Sequence, residues 1–124
     1  MTAEKVCALV VTRNRKALLT RCLRALAAQT RPLSELIVFD NASSDGTAEL
    51  LAGGGAAPSP VLSYLSSEIN LGGAGGYAEA LRLGAEAGAD WLWLMDDDAA
   101  LLADALERLL SSPPARDRGT VALC

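Results

Sequence analysis

Two uninterrupted apolar runs, Val6-Cys7-Ala8-Leu9-Val10-Val11 and Trp91-Leu92-Trp93-Leu94-Met95, stand far apart in the chain. Each is too short to span a bilayer and lacks apolar–polar alternation, so each predicts a strand buried on both faces of a parallel sheet. Leu36-Ile37-Val38-Phe39 and the weaker Val61-Leu62-Ser63-Tyr64-Leu65 predict two more strands. Between the first two strands, apolar positions recur every three or four residues at Leu18, Leu19, Cys22, Leu23, Leu26 and Ala27. That spacing predicts an amphipathic helix over 16–28, with Arg21 and Arg24 outward and Pro32 stopping it.

Ser43-Ser44-Asp45-Gly46-Thr47 supplies turn formers and helix caps, and a short helix through about Leu51 is expected after it. Gly53-Gly54-Gly55, followed by Pro58 and Pro60, reads as a surface loop. Asn70-Leu71-Gly72-Gly73-Ala74-Gly75-Gly76 reads as a second loop, leading into a helix with Tyr77, Ala80, Leu81, Gly84 and Ala85 on its apolar side and Gly88 at its end. A last helix carries Leu102, Ala105, Leu106, Leu109 and Leu110 up to Pro113-Pro114, and Val121-Ala122-Leu123 looks like a strand just starting. The rhythm β-α-β-α-β-α-β-α-β implies one α/β domain with a mainly parallel sheet flanked by helices, joined by right-handed crossovers.

Composition narrows the function classes. The chain has 124 residues, 51% of them hydrophobic, enough for one domain with a core. A net charge of −4 without a basic cluster argues against nucleic acid as the main partner. There is no histidine, so neither a Ser-His-Asp nor a Cys-His catalytic site can be built from this chain. Cys7, Cys22 and Cys124 are widely spaced and fit neither a disulfide framework nor a zinc site; Cys7 and Cys22 read as buried thiols. No signal peptide or transmembrane segment is visible, and a cytoplasmic location is the expectation.

The chemistry concentrates where an apolar strand runs into Asp96-Asp97-Asp98. Adjacent carboxylates repel one another unless a cation or water neutralises them, and the carboxyl edge of an open α/β sheet is where ligands bind. These acids are therefore candidates for holding Mg²⁺ or Mn²⁺, hard cations that take their remaining ligands from waters and substrate phosphates; solvated loop charges are the plainer alternative. Asp40 ends the second strand, where it either accepts from a nucleobase N–H or ribose hydroxyl or forms a turn with Asn41. The 70–76 glycines either let the backbone approach a diphosphate or serve as a flexible connector; neither a Walker lysine nor a G-x-G-x-x-G after the first strand is present. Arg13 and Arg15 are candidates for phosphate or base contacts, with solvated surface arginines as the alternative. Trp91, Trp93 and Tyr77 read as core.

Taken together, Val10-Val11-Thr12-Arg13-Asn14-Arg15, Gln29-Thr30-Arg31-Pro32, Ile37-Val38-Phe39-Asp40-Asn41-Ala42-Ser43-Ser44-Asp45-Gly46-Thr47, Asn70-Leu71-Gly72-Gly73-Ala74-Gly75-Gly76-Tyr77 and Trp93-Leu94-Met95-Asp96-Asp97-Asp98-Ala99 resemble the inverting GT-A glycosyltransferases of family 2. Within that family they look most like the galactofuranosyltransferase and rhamnosyltransferase branch. The resemblance implies a Rossmann-like nucleotide-sugar-binding half over 1–124. Thr12, Arg13, Asn14 and Arg15 would line the base and ribose pocket, and Asp40 would bind the uracil or thymine ring. Asn70, Gly72 and Gly73 would lie along the diphosphate and sugar. Asp96 and Asp98 would ligate Mn²⁺ or Mg²⁺ as the family's "DXD" element, with Asp97 reaching a ribose hydroxyl.

The implied donor is a UDP- or dTDP-sugar and the implied acceptor a glycan or lipid-linked sugar. In such enzymes the general base, a metal-site histidine and the acceptor region follow the "DXD", whereas this chain ends 26 residues past Asp98. The expectation is a donor-binding half that does not turn over alone, with an exposed sheet edge favouring homo-oligomers. The alternative is a non-catalytic nucleotide-sugar-binding module or truncated remnant. A nucleotidyltransferase is disfavoured by the missing glycine signature after the first strand.

Overall fold

The continuous run of β-branched and small apolar residues near the amino terminus becomes the spine of the sheet. In the computed structural model, which describes residues 4–52 and 62–116, β1 (Val6–Thr12) pairs in parallel with β2 (Glu35–Asn41) on one side and β4 (Trp91–Asp96) on the other. β3 (Leu62–Ser67) pairs in parallel with the outer side of β2, giving the order β3-β2-β1-β4. Helices α1 (Lys16–Ala27), α2 (Thr47–Ala52) and α3 (Gly72–Glu86) connect the strands; α4 (Ala105–Ser111) and a short 3-10 turn (Pro113–Arg116) follow β4. The 53–55 glycines, Pro58, Pro60, Val61 and the start of a strand at 121–123 lie outside the described residues.

Alternate side chains of β1 and β2 feed two cores. Ala8, Val10, Leu36 and Val38 pack with Leu19, Cys22, Leu23 and Leu26 of α1 and Leu51 of α2, while Cys7, Leu9, Ile37 and Phe39 pack with Ala80 of α3. A chain that steps outward from β1 to β3 and then returns to β4 must reverse direction. Right-handed crossovers then send the returning helix to the opposite face. The reversal leaves β1 between β2 and β4, which makes its carboxyl end a topological switch point.

Three expectations need correction. β4 is not buried on both faces: among the described residues it is an edge strand, Trp91, Leu92 and Trp93 are half-buried and Leu94 is exposed. The β4 side chains still reach both helix layers, Trp93 and Met95 on the α1 side and Leu92 on the α3 side, while the Glu4 carboxylate accepts from Trp91 Nε1 at 2.8 Å. The 70–76 segment is not a loop, because α3 already begins at Gly72. Finally, α3 buries Gly76, Ala80 and Gly84, while Leu81 and Ala85 face outward.

Those small residues recur every four positions and form a flat stripe that lets the helix lie against the sheet. A Cβ on Gly76 would come within 2.8 Å of both Val11 Cγ1 and Asn41 Nδ2, and one on Gly84 within 2.7 Å of Leu92 Cδ2. Gly76→Ala is therefore expected to destabilise the fold by about 1–3 kcal/mol through overpacking. Gly73→Ala, whose Cβ would meet nothing within 4 Å, is expected to be neutral or slightly stabilising, since alanine is the better helix former. Urea-unfolding midpoints of the two variants separate these outcomes, and equal midpoints would show that α3 does not lie flush on β1 and β2.

Candidate functional site

Because the four strands are parallel, their carboxyl ends share one edge. The register sets Thr12 beside Asp40 and Val11 beside Asp96. Behind that edge the β1–α1 and β2–α2 turns are laced together. Asn14 takes a left-handed conformation (φ 51°) that asparagine tolerates; its N–H donates to Ser43 Oγ at 2.9 Å and its Oδ1 accepts from the Ser44 N–H at 2.6 Å. Arg13 Nη1 donates to the carbonyls of Asn41 at 2.6 Å and Ala42 at 3.1 Å, holding Ala42 at φ 57°. Asp45 accepts from the Lys16 N–H at the start of α1 and from Thr47 at the start of α2. These contacts hold the Asp45 carboxyl below its usual range, the Thr47 hydroxyl being the largest cause.

The cleft on this edge encloses about 420 Å³, within the span of small-molecule sites. Thr12, Arg13, Arg15, Asn70, Gly72 and Gly73 line it, and Asp96 and Asp97 form its far wall. Eight of the eleven residues singled out from sequence thus meet in one place. The other three stand elsewhere. Asn14 is in the laced turn. Asp40 is 2% exposed beneath the cleft, its Oδ1 accepting from the Ser43 N–H at 3.0 Å and its Oδ2 from the Tyr64 hydroxyl at 2.6 Å. Asp98 borders a neighbouring hollow with Leu18, Arg21 and Leu102.

The three consecutive acids therefore divide their work. Asp97 is 4% exposed: Thr12 Oγ1 donates to its Oδ2 at 2.9 Å and Arg15 Nη1 lies 3.4 Å from its Oδ1. Arg15 Nη1 also lies 3.9 Å from Asp98 Oδ2, so one guanidinium offsets the repulsion between neighbours. Asp96 is exposed at the tip of β4, where its Oδ1 accepts from the Tyr77 hydroxyl at 2.6 Å. No cage of three or more metal-ligating side chains forms among the described residues. What the site offers a cation is a carboxylate at the cleft wall, which suits Mg²⁺ or Mn²⁺ better than zinc.

Sequence reasoning missed three participants. Asn41 bridges β2 to α3: its Nδ2 donates to the Gly72 carbonyl at 2.9 Å and its Oδ1 accepts from the Leu71 N–H at 3.1 Å. Its place at the end of a parallel strand was the available signal. Tyr77, read as core, lines the cleft, and burial followed by the Asp96 hydrogen bond pushes its hydroxyl well above the ordinary tyrosine range. Gln29, buried behind the acids, donates to the Leu102 carbonyl at 2.8 Å and accepts from the Leu106 N–H at 3.1 Å, so it fixes the segment that follows Asp98.

A doubly wound parallel sheet with a polar, acid-walled cleft at its switch point defines an α/β domain of the GT-A type. The chain belongs to glycosyl transferase family 2, whose pattern it matches over residues 7–117. It is 47% identical over 96 residues to the galactofuranosyltransferase GlfT1 of Mycolicibacterium smegmatis, covering 77% of this chain and 30% of that protein. It is 45% identical over 98 residues to GlfT1 of Mycobacterium tuberculosis, covering 77% and 31% respectively. The chain thus spans about a third of the length of these curated relatives.

Among solved structures, the mannosyltransferase PcManGT of Pyrobaculum calidifontis, in complex with GDP-Man and Mn²⁺, superposes with a TM-score of 0.74 at 26% identity, over 91% of this chain and 34% of that one. S. aureus TarS 1-349 in complex with UDP-GlcNAc gives 0.68 at 24% identity, over 84% and 29%, a likeness of fold. No helix among the described residues is long and apolar enough to cross a membrane.

Cys22 sits behind the acids, its Sγ 3.8 Å from the Asp96 carbonyl, and burial together with the Asp97 and Asp98 charges pushes its thiol from 9.0 up to about 11. A thiol raised in the folded state favours folding below its unfolded pKa, and that contribution is lost as pH rises from about 9 through about 11. N-ethylmaleimide at pH 7.5 is accordingly expected to spare Cys22 and the similarly buried Cys7 in folded protein and to modify both in urea, as read by peptide mass spectrometry. Rapid modification of Cys22 without denaturant would contradict its placement.

Proposed function

We propose that this chain is the donor-binding part of an inverting, metal-dependent glycosyltransferase that moves galactofuranose from a UDP-sugar to a glycan or lipid-linked acceptor. The observation that carries it is the meeting of Asp96, Asp97, Arg15, Gly72 and Gly73 in one cleft. The identity to two galactofuranosyltransferases favours the sugar, and the relatives named with UDP-GlcNAc or GDP-Man favour a nucleotide-linked donor.

Each part has a physical task. The first-turn N–H groups of α3 lack intrahelical partners, so those near Gly73 face an anion at the positive end of a helix of 15 residues. Arg15, half-exposed and already held by Asp97, presents further N–H donors to a diphosphate without first having to be ordered. Asp97, fixed by Thr12, joins the tips of β1 and β4 and keeps the cleft wall in place. Asp40, beneath the floor, reaches a base through the same edge when Tyr64 or Ser43 gives up its hydrogen bond.

Asp96 would hold the divalent cation, with Asp98 turning in from the adjoining hollow as a second ligand. A bound cation supplies positive charge against the diphosphate leaving group as its negative charge grows. Inversion also needs a base for the acceptor hydroxyl, a role assigned to no residue of this chain.

Calorimetry of the chain with UDP, with and without Mn²⁺, tests the assignment. Binding is expected to be strengthened by Mn²⁺, and Asp96→Asn is expected to cut that strengthening to the remnant that Asp98 sustains while leaving metal-free UDP binding near its original strength. UDP affinity indifferent to Mn²⁺, or no UDP binding at all, would sink the donor-site reading. Binding without transfer by the full-length protein would favour a non-catalytic nucleotide-sugar module.

A further inference from the structure

Tyr77 stands one residue beyond the glycine that brings α3 against the sheet, and its ring reaches the tip of β4. Its single hydroxyl proton faces two acceptors on adjacent residues, Asp96 Oδ1 at 2.6 Å and the Met95 carbonyl at 2.9 Å. A carboxylate at a strand end otherwise turns freely about its Cα–Cβ and Cβ–Cγ bonds, and Asp96 is exposed. The phenol engages one of its oxygens from a ring that the helix and sheet hold in place. Asp96 Oδ2 accepts no hydrogen bond among the described residues, and Tyr77 and Asp96 line the same cleft.

We propose that Tyr77 is a positioning residue for cation binding: its hydroxyl fixes the Asp96 carboxylate so that the second oxygen is presented to a divalent cation in the cleft. The role builds on the donor-site reading and adds the group that orients the ligand. Outer hydrogen bonds of this kind orient ligating side chains and raise metal affinity without touching the metal. The reach of the phenol depends on the close approach at Gly76, where a Cβ would overlap Val11 and Asn41. The glycine at 76 and the tyrosine at 77 thus form one device, in which the first sets the distance and the second uses it.

Mn²⁺ affinity in saturating UDP, read by the paramagnetic resonance of free Mn²⁺, tests the role on the intact chain. Tyr77→Phe keeps the ring and is expected to weaken Mn²⁺ by about tenfold, the lower range for outer-shell losses, with UDP binding in EDTA unchanged. In an Asp96→Asn background the same substitution is expected to bring no further loss, because the group it orients is gone. A purely structural tyrosine would weaken UDP binding in EDTA as well, or give the same fold-loss in both backgrounds, and either result overturns the inference. Wild-type Mn²⁺ affinity in Tyr77→Phe overturns it alone, leaving the donor site standing. A parent chain that takes up neither UDP nor Mn²⁺ removes both.

Discussion

The buried hydrogen bond between Thr12 and Asp97 is the constraint on which the cleft depends. It joins the end of the central strand to the turn that leaves β4, across the point where the sheet reverses direction. A carboxylate at 4% exposure is tolerable only with its oxygens engaged, and here one takes the threonine hydroxyl while the other faces Arg15. Removing either partner would leave a desolvated charge, so Thr12, Arg15 and Asp97 behave as a unit. That unit lets Asp96 sit exposed at the wall of the cleft without the strand ends spreading apart.

The segment beyond the acids is tied down separately. Gln29 reaches from the end of α1 to the Leu102 carbonyl and the Leu106 N–H, and Thr30 adds a backbone bond to the Ala103 carbonyl at 2.8 Å. Residues 97–102 are therefore anchored at one end by a buried carboxylate and at the other by a buried amide. Asp98 lies between those anchors and is exposed, which leaves its side chain the freedom that Asp97 lacks. The proposed task of gathering a cation and a diphosphate would benefit from that combination: a rigid frame limits ordering cost, and a freer carboxylate could complete the coordination.

Strand and helix positions were legible because they rest on local pattern. β1, β2 and α1 begin and end within a residue or two of their apolar runs, and the acids fall at the strand tip where the pattern puts them. The misreadings came where tertiary packing overrides propensity. Four glycines within seven residues suggest a loop, yet α3 starts at the third residue of that stretch because packing against Val11 and Asn41 selects the glycine at 76. The sequence carried the clue in the four-residue spacing of Gly76, Ala80 and Gly84. In the same way, the unbroken apolar run of β4 does not reveal how much of its surface the described residues cover.

The site's chemistry was less legible than its location, and the reason is directional. Three consecutive aspartates at a strand end share a position in sequence but point to three environments: the tyrosine of α3, the threonine of β1, and the hollow beside α1. Side chains at the end of a strand alternate across the sheet until the turn breaks the alternation, so proximity along the chain says little about convergence. Asp40 follows the same rule, turning beneath the cleft toward Tyr64 while Asn41, one residue on, bridges to the start of α3. An acid-rich motif therefore marks the edge where the cleft opens, whereas the task of each carboxylate follows from its hydrogen-bond partner on the neighbouring element.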